Sequence, residues 1–108
     1  MNIEKTKAQM RKGLLELCIL SIINEKEAYA SDIISKMKDS ELIVVEGTLY
    51  PILTRLKNDG MLDYRWEESI TGPPRKYYQL TQRGIATAKE LKISWEELVI
   101  SIEKITKQ

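Results

Sequence analysis

The sequence predicts a mainly α protein with one small β-hairpin. Three observations predict it. Apolar residues recur at helical spacing in four separate stretches, two alternating segments flank a Gly-Pro-Pro tip, and the C-terminal stretch carries a long apolar seam. Read in chain order this is helix, short helix, turn, helix, hairpin, which is the winged helix-turn-helix arrangement, followed by a long C-terminal helix. Residues 1–80 are expected to form the winged helix-turn-helix domain and residues 81–108 a dimerisation helix.

The first helix is expected over Thr6 to Asn24. Met10, Leu14, Leu17 and Leu20 lie on one face, and Leu15, Cys18, Ile19 and Ile22 make it apolar on more than one side, so it should be central. A short helix follows from about Ala30 to Lys38, with Ile33, Ile34 and Met37 inward. The run LIVV, 42 to 45, fits a small strand. In the third helix Leu49, Ile52, Leu53 and Leu56 share one face. Thr48 is expected to cap it, which would place Pro51 in the first turn, where a missing N–H costs little. Asn58-Asp59-Gly60 should end it, with Gly60 in a left-handed cap.

Leu62, Tyr64 and Trp66 alternate with Asp63, Arg65 and Glu67, the pattern of a half-buried strand. A second strand covers about Lys76 to Leu80. Gly72 and the pair Pro73-Pro74 are expected at a protruding tip, because proline donates no ladder hydrogen bond. Thr81 should cap a helix running to about Lys107.

Composition bounds the function. A chain of 108 residues holds one domain with one appended element. Its 43% hydrophobic and 31% charged residues are a soluble globular balance. The net charge of +1 excludes a polycation, so a nucleic-acid partner must be judged region by region. Cys18 is the sole cysteine, so no internal disulfide forms, which fits a reducing cytoplasm; its place in an apolar run reads as a buried structural thiol. The run from Leu14 to Ile23 is too short to span a bilayer and no cleavage site follows it, so a cytoplasmic protein without membrane contact is expected. There is no histidine and no Gly-rich phosphate loop, and the acids show no metal-ligand spacing. No enzyme activity, catalytic residue, metal or cofactor is expected.

Regional charge points to double-stranded DNA. The face of the third helix opposite its leucines carries Pro51, Thr54 and Asn58, flanked by Thr48, Tyr50 and Arg55. These compact hydrogen-bonding and cationic groups suit base edges and phosphates. An ordinary solvated helix face is the alternative, although such faces usually carry more Glu and Lys. From Thr71 to Arg83 there are Arg75, Lys76 and Arg83 with no acid. A basic hairpin beside a polar helix is a phosphate-binding footprint.

The last helix carries Ala88, Leu91, Trp95, Leu98, Ile102 and Ile105 at spacings alternating between three and four. A helix of this length reaches about 40 Å, beyond a body of radius of gyration about 12 Å. A partner chain should cover the rest, and a two-fold homodimer is the commonest solution. Trp95 sits mid-seam. Two copies could form a slot for a planar aromatic or cationic small molecule, or pack the interface.

The segments GTLYPILTRLKNDGML, 47 to 62, and TGPPRKYYQLTQRG, 71 to 84, closely resemble the PadR family of bacterial repressors. The resemblance covers nearly the whole chain. It implies a winged-helix domain, a C-terminal dimerisation helix, an operator of the ATGT…ACAT inverted-repeat type, and repression of nearby genes such as efflux or detoxification genes. It carries DNA contacts to Thr48, Tyr50, Arg55, Arg75 and Lys76. The single C-terminal helix is similar to the short subfamily, and Ser94-Trp95 looks like the drug-binding tryptophan position of multidrug-responsive members. The following turn, LVI at 98 to 100, is more apolar than a cation site. Two other classes compete: a winged-helix protein-interaction module, and a small-molecule carrier that never touches DNA. The steep salt dependence of phosphate binding separates the first from the DNA reading. The carrier would bind ligand with no coupled effect on DNA.

Overall fold

A computed structural model describes residues 1–107, so the last residue of the expected C-terminal segment, Gln108, lies outside the described residues. Five helices and one hairpin follow in the order α1 (Ile3–Lys12), α2 (Leu15–Glu25), α3 (Ala30–Asp39), α4 (Glu46–Asn58), β1 (Leu62–Ser69), β2 (Gly72–Leu80) and α5 (Gln82–Thr106). The mainly α fold with a winged helix-turn-helix and a long C-terminal helix is as the sequence predicts.

The expected first helix is two. Gly13, the poorest helix former in the stretch, lies at the break, and Leu14 N donates to Arg11 O at 3.0 Å, a tight turn that ends α1. The break frees α1 from the core: none of its residues is buried, and Met10, expected inward, is exposed. From α2, Ile19, Leu20 and Ile23 are buried, and they meet Ile33 and Met37 of α3. Tyr29 N donates to Asp32 Oδ2 at 2.9 Å, satisfying an amide at the start of α3.

The LIVV run is no strand. It is an extended linker in which Val44 alone is buried, and it joins no ladder. The position beside β2 is taken instead by Ala28, which exchanges backbone hydrogen bonds of 3.0 and 2.7 Å with Tyr78.

Helix α4 starts two residues before the expected cap. Val45 is its N-cap and makes no side-chain hydrogen bond, so Thr48 lies inside the first turn rather than ahead of it. Pro51 is therefore the sixth helical residue, past the first turn. Lacking an N–H, it cannot donate to the carbonyl of Gly47, four residues back. The C-terminus closes as expected. Gly60 has φ +79°. Gly60 N donates to Lys57 O at 3.0 Å and Met61 N to Leu56 O at 2.9 Å, the paired bonds of a Schellman cap. Leu49, Ile52, Leu53 and Leu56 are all buried.

The hairpin is antiparallel, with Leu62 opposite Leu80, Tyr64 opposite Tyr78 and Trp66 opposite Lys76. The prolines do not form its tip. Pro73 and Pro74 lie within β2, where the register slips between Glu67 and Ser69. A bulge tolerates residues that donate no ladder bond, and the tip moves out to Ile70 and Thr71. Trp66, expected half-buried, is 61% exposed because β1 has by then run past the body.

Thr81 caps α5. Its Oγ1 accepts from Gly84 N at 3.0 Å and donates to Gly60 O at 2.6 Å, and its own amide donates to Met61 O at 3.1 Å. Gly84 is needed here, since a Cβ would lie 2.0 Å from the Met61 carbonyl oxygen. The start of α5 is thus clamped to the end of α4. Its 25 residues then carry it off the body, and the longest dimension of the molecule is 56 Å. Among the described residues no helix is long and apolar enough to cross a membrane.

Candidate nucleic-acid interface

Burying four aliphatic residues of α4 turns its other face outward. Thr48, Tyr50, Pro51, Thr54, Arg55 and Asn58 are all exposed on it. The two flanks of this face meet different neighbours. Tyr50 faces the hairpin and lines a groove of about 390 Å³ with Trp66, Arg75, Lys76 and Tyr29. Thr48 lies on the other flank, against a larger cavity formed by α1, α2, α5 and the linker. Arg55 is on that second flank too, hydrogen-bonded to Glu16 of α2.

The hairpin cations rest on aromatic rings. The Arg75 guanidinium lies 4.1 Å from the ring centroid of Tyr29, and Lys76 Nζ lies 4.6 Å from Tyr64 and 5.6 Å from Trp66. A ring face holds a cation without neutralising it, so both charges stay available to an anion. The sequence reading passed over Tyr29 and Trp66. Trp66 carried a signal, as a cross-strand neighbour of Lys76; Tyr29 carried none, being 46 residues from Arg75.

Arg65 of the same hairpin is held differently. Arg65 donates to Glu27 at 2.9 Å and to Glu67 at 2.8 Å, and these hydrogen bonds raise its already high pKa. That pairing ties β1 to the loop before α3 and offers no free charge. Burial pushes the Tyr78 phenol up, with smaller contributions from Tyr50 and Tyr64, so this ring stays neutral in the floor between hairpin and α4.

The α5 seam divides. Ala88, expected at a dimer interface, is buried in the chain's own core, because the first turns of α5 pack on α2; it has no surface left for a partner. Leu91 is also partly buried against that core. Beyond it Leu98, Ile102 and Ile105 are 53%, 50% and 80% exposed. A second exposed stripe, Ile85, Ile93 and Ile100, runs along another side of α5. The sequence reading missed it, although its spacings of eight and seven residues are also helical.

Trp95 is half-buried over the larger cavity, about 720 Å³, with Leu14, Leu15, Cys18 and Val44 among its walls. Its charged lining residues are Arg11, Lys12 and Lys92, with no carboxylate. Cys18 is half-buried rather than enclosed, and burial raises its thiol pKa.

Residues 19–90 match the transcriptional regulator PadR-like family. The chain belongs to that family. PadR-like proteins are transcriptional regulators, not enzymes. Among solved structures, a PadR-like transcription factor from Bacteroides fragilis is 57% identical, with a TM-score of 0.80 over 94% of this chain and 99% of that one. A PadR family regulator from Eggerthella lenta reaches a TM-score of 0.90 at 26% identity, over 98% of this chain and 93% of its own. Bacillus subtilis PadR in complex with operator DNA is 25% identical, with a TM-score of 0.69, over 74% of this PadR-like chain and 47% of that chain.

Proposed function

We propose that this PadR-like regulator is a repressor that binds an inverted-repeat operator as a homodimer. The observation that carries the DNA reading is the outward face of α4 lying beside two hairpin cations bedded on rings rather than paired with acids. The solved complex of the Bacillus subtilis relative with operator DNA supports the same partner. In this reading α4 enters the major groove through Tyr50, Pro51, Thr54 and Asn58, with Thr48 and Arg55 toward one phosphate strand and Arg75 and Lys76 toward the other. Residues 1–80 are the DNA-binding unit. Helix α5 is the dimerisation element, with Leu98, Ile102 and Ile105 as its interface and Ala88 and Leu91 given to the body. Two-fold symmetry places the half-sites about 10 bp apart or a multiple of that. The regulated genes are neighbouring ones, of the efflux or detoxification kind.

The effector in this proposal is a planar aromatic molecule that stacks on Trp95. The cationic lining of the cavity favours a neutral or anionic compound over the cationic small molecule that the sequence also allows.

Titrating the protein into its own promoter fragment at several salt concentrations tests the DNA reading. Arg75→Ala and Lys76→Ala are expected to weaken binding to all sequences and to lower the salt slope by about one each. Equal binding of promoter and random DNA would remove the repressor role.

A further inference from the structure

Three cations are proposed to meet DNA, and they are held in different ways. Arg75 and Lys76 rest on rings. Of the three, only Arg55 pairs with a carboxylate among the described residues, that of Glu16. This ion pair joins α2 to α4 across 39 positions of sequence.

We propose that Glu16 is an internal stand-in for a DNA phosphate, which holds Arg55 against α2 in the free protein and surrenders it when DNA arrives. The inference rests on the DNA-binding reading above. Three features of the pair carry it. Arg55 lies in the last turn of α4, on the flank toward α2, so its guanidinium sits at the border of the exposed face rather than across from the core. The two side chains remain 54% and 43% exposed, so water competes for both and the pair holds by a small margin. A carboxylate and the two non-bridging oxygens of a phosphate each offer the guanidinium a pair of anionic acceptors, so exchange needs a rotation of the side chain and no change in the fold.

The exchange lowers affinity. Every binding event must first break the pair, and it leaves Glu16 unpartnered close to the phosphates. A surface pair of this exposure contributes up to about 1 kcal/mol, which is about fivefold in an equilibrium constant. The cost falls on all sequences alike, because a phosphate contact reads no base. Glu16 thus sets how tightly the regulator holds DNA in general without setting which sequence it prefers.

A double-mutant cycle tests this. Glu16→Gln, Arg55→Gln and the double variant are compared with the unmodified protein for binding to the promoter fragment and to random duplex, with a thermal melt of each to show that it folds. Glu16→Gln is expected to tighten both duplexes by about two- to fivefold, and the gain should be clearly smaller when Arg55 is Gln. An equal gain with and without Arg55 would show that Glu16 merely repels DNA, and the proposal falls. Weaker binding by Glu16→Gln would make Glu16 a support for Arg55, which also overturns it, as does no change. If the unmodified protein binds no duplex at all, the DNA-binding reading itself fails and the exchange fails with it.

Discussion

If the proposed homodimer forms through α5, replacing Leu98 by Glu should convert it to monomers. Leu98, Ile102 and Ile105 are 53%, 50% and 80% exposed. Fully burying such a side chain contributes about 1.5–3 kcal/mol. Covering what is exposed of these three therefore yields roughly 3–5 kcal/mol per protomer, and a two-fold interface counts it twice. Association costs an estimated 4–15 kcal/mol in lost freedom, so the proposed dimer would have little surplus on this seam. Leu98→Ala removes part of the gain in each copy and should weaken the dimer about tenfold. Leu98→Glu removes the same gain and places an unpaired carboxylate in each half of the interface, beside the exposed Glu97. An unpaired buried charge costs about 3–5 kcal/mol, so dissociation should tighten the requirement on concentration by more than a thousandfold. Sedimentation equilibrium reads this directly: the unmodified protein should run at twice its chain mass of 12.5 kDa, and the Glu variant at the chain mass. A monodisperse monomer of the unmodified protein at micromolar concentration refutes the reasoning, and so does a Leu98→Glu variant that stays dimeric.

Other expectations follow from single contacts. Gly84→Ala drives a Cβ to within 2.0 Å of backbone at Met61; it should cost at least about 2 kcal/mol and lower the melting temperature by about 10 °C at fixed protein concentration. A change under 2 °C would show that the clamp between α4 and α5 gives way easily. Burial raises the Cys18 thiol pKa. Its protonated form thus stabilises the fold below the ordinary thiol pKa of about 8.5 and that stability is lost as pH rises through the folded value. Alkylation of Cys18 should accordingly be slower than that of a free thiol at pH 8, with a rate still climbing at higher pH; a free-thiol rate would contradict it. In a Trp66→Tyr background, neutral or anionic planar aromatics should quench Trp95 more strongly than a cationic dye of similar size, and the reverse order would show that the rim of Arg11, Lys12 and Lys92 does not govern the site.

Much of the architecture was legible because periodicity survives in each element. The leucines of α4 and the cap at Gly60 fall where the spacing puts them. The departures have local causes. The break at Gly13 was hidden because the apolar pattern runs through it without a phase change. LIVV was ambiguous, since a short apolar run is compatible with strand or linker; the core has room for Val44 alone. Thr48 has the chemistry of a cap, yet the chain enters α4 earlier and uncapped, which shifts Pro51 deeper. The pair Pro73-Pro74 reads as a breaker, but a bulge accommodates it. For the candidate site, residue types on one helix face could be read off the spacing. What each cation leans on could not, since Tyr29 under Arg75 and Glu16 beside Arg55 are brought there by tertiary packing alone.

If the proposed effector binds in the larger cavity, the walls of that cavity connect α5 to the start of α4. Trp95 and Lys92 form one wall, and Thr48 with the linker from Leu42 to Val45 forms another. The linker is anchored in the core through Val44 and otherwise exposed, so it is the least constrained approach to α4. The far end of α4 is fixed by contrast: its Schellman cap and the Thr81 bonds to Gly60 and Met61 clamp it to the start of α5. An effector in the cavity would therefore meet Thr48 near the start of α4 while the other end of the helix is held. In that proposal the expected response is a tilt of the helix about its clamped end, which would displace Thr48 and Tyr50 more than Asn58. If occupancy of the cavity weakens DNA binding by such a tilt, linkage requires that DNA weaken occupancy by the same factor.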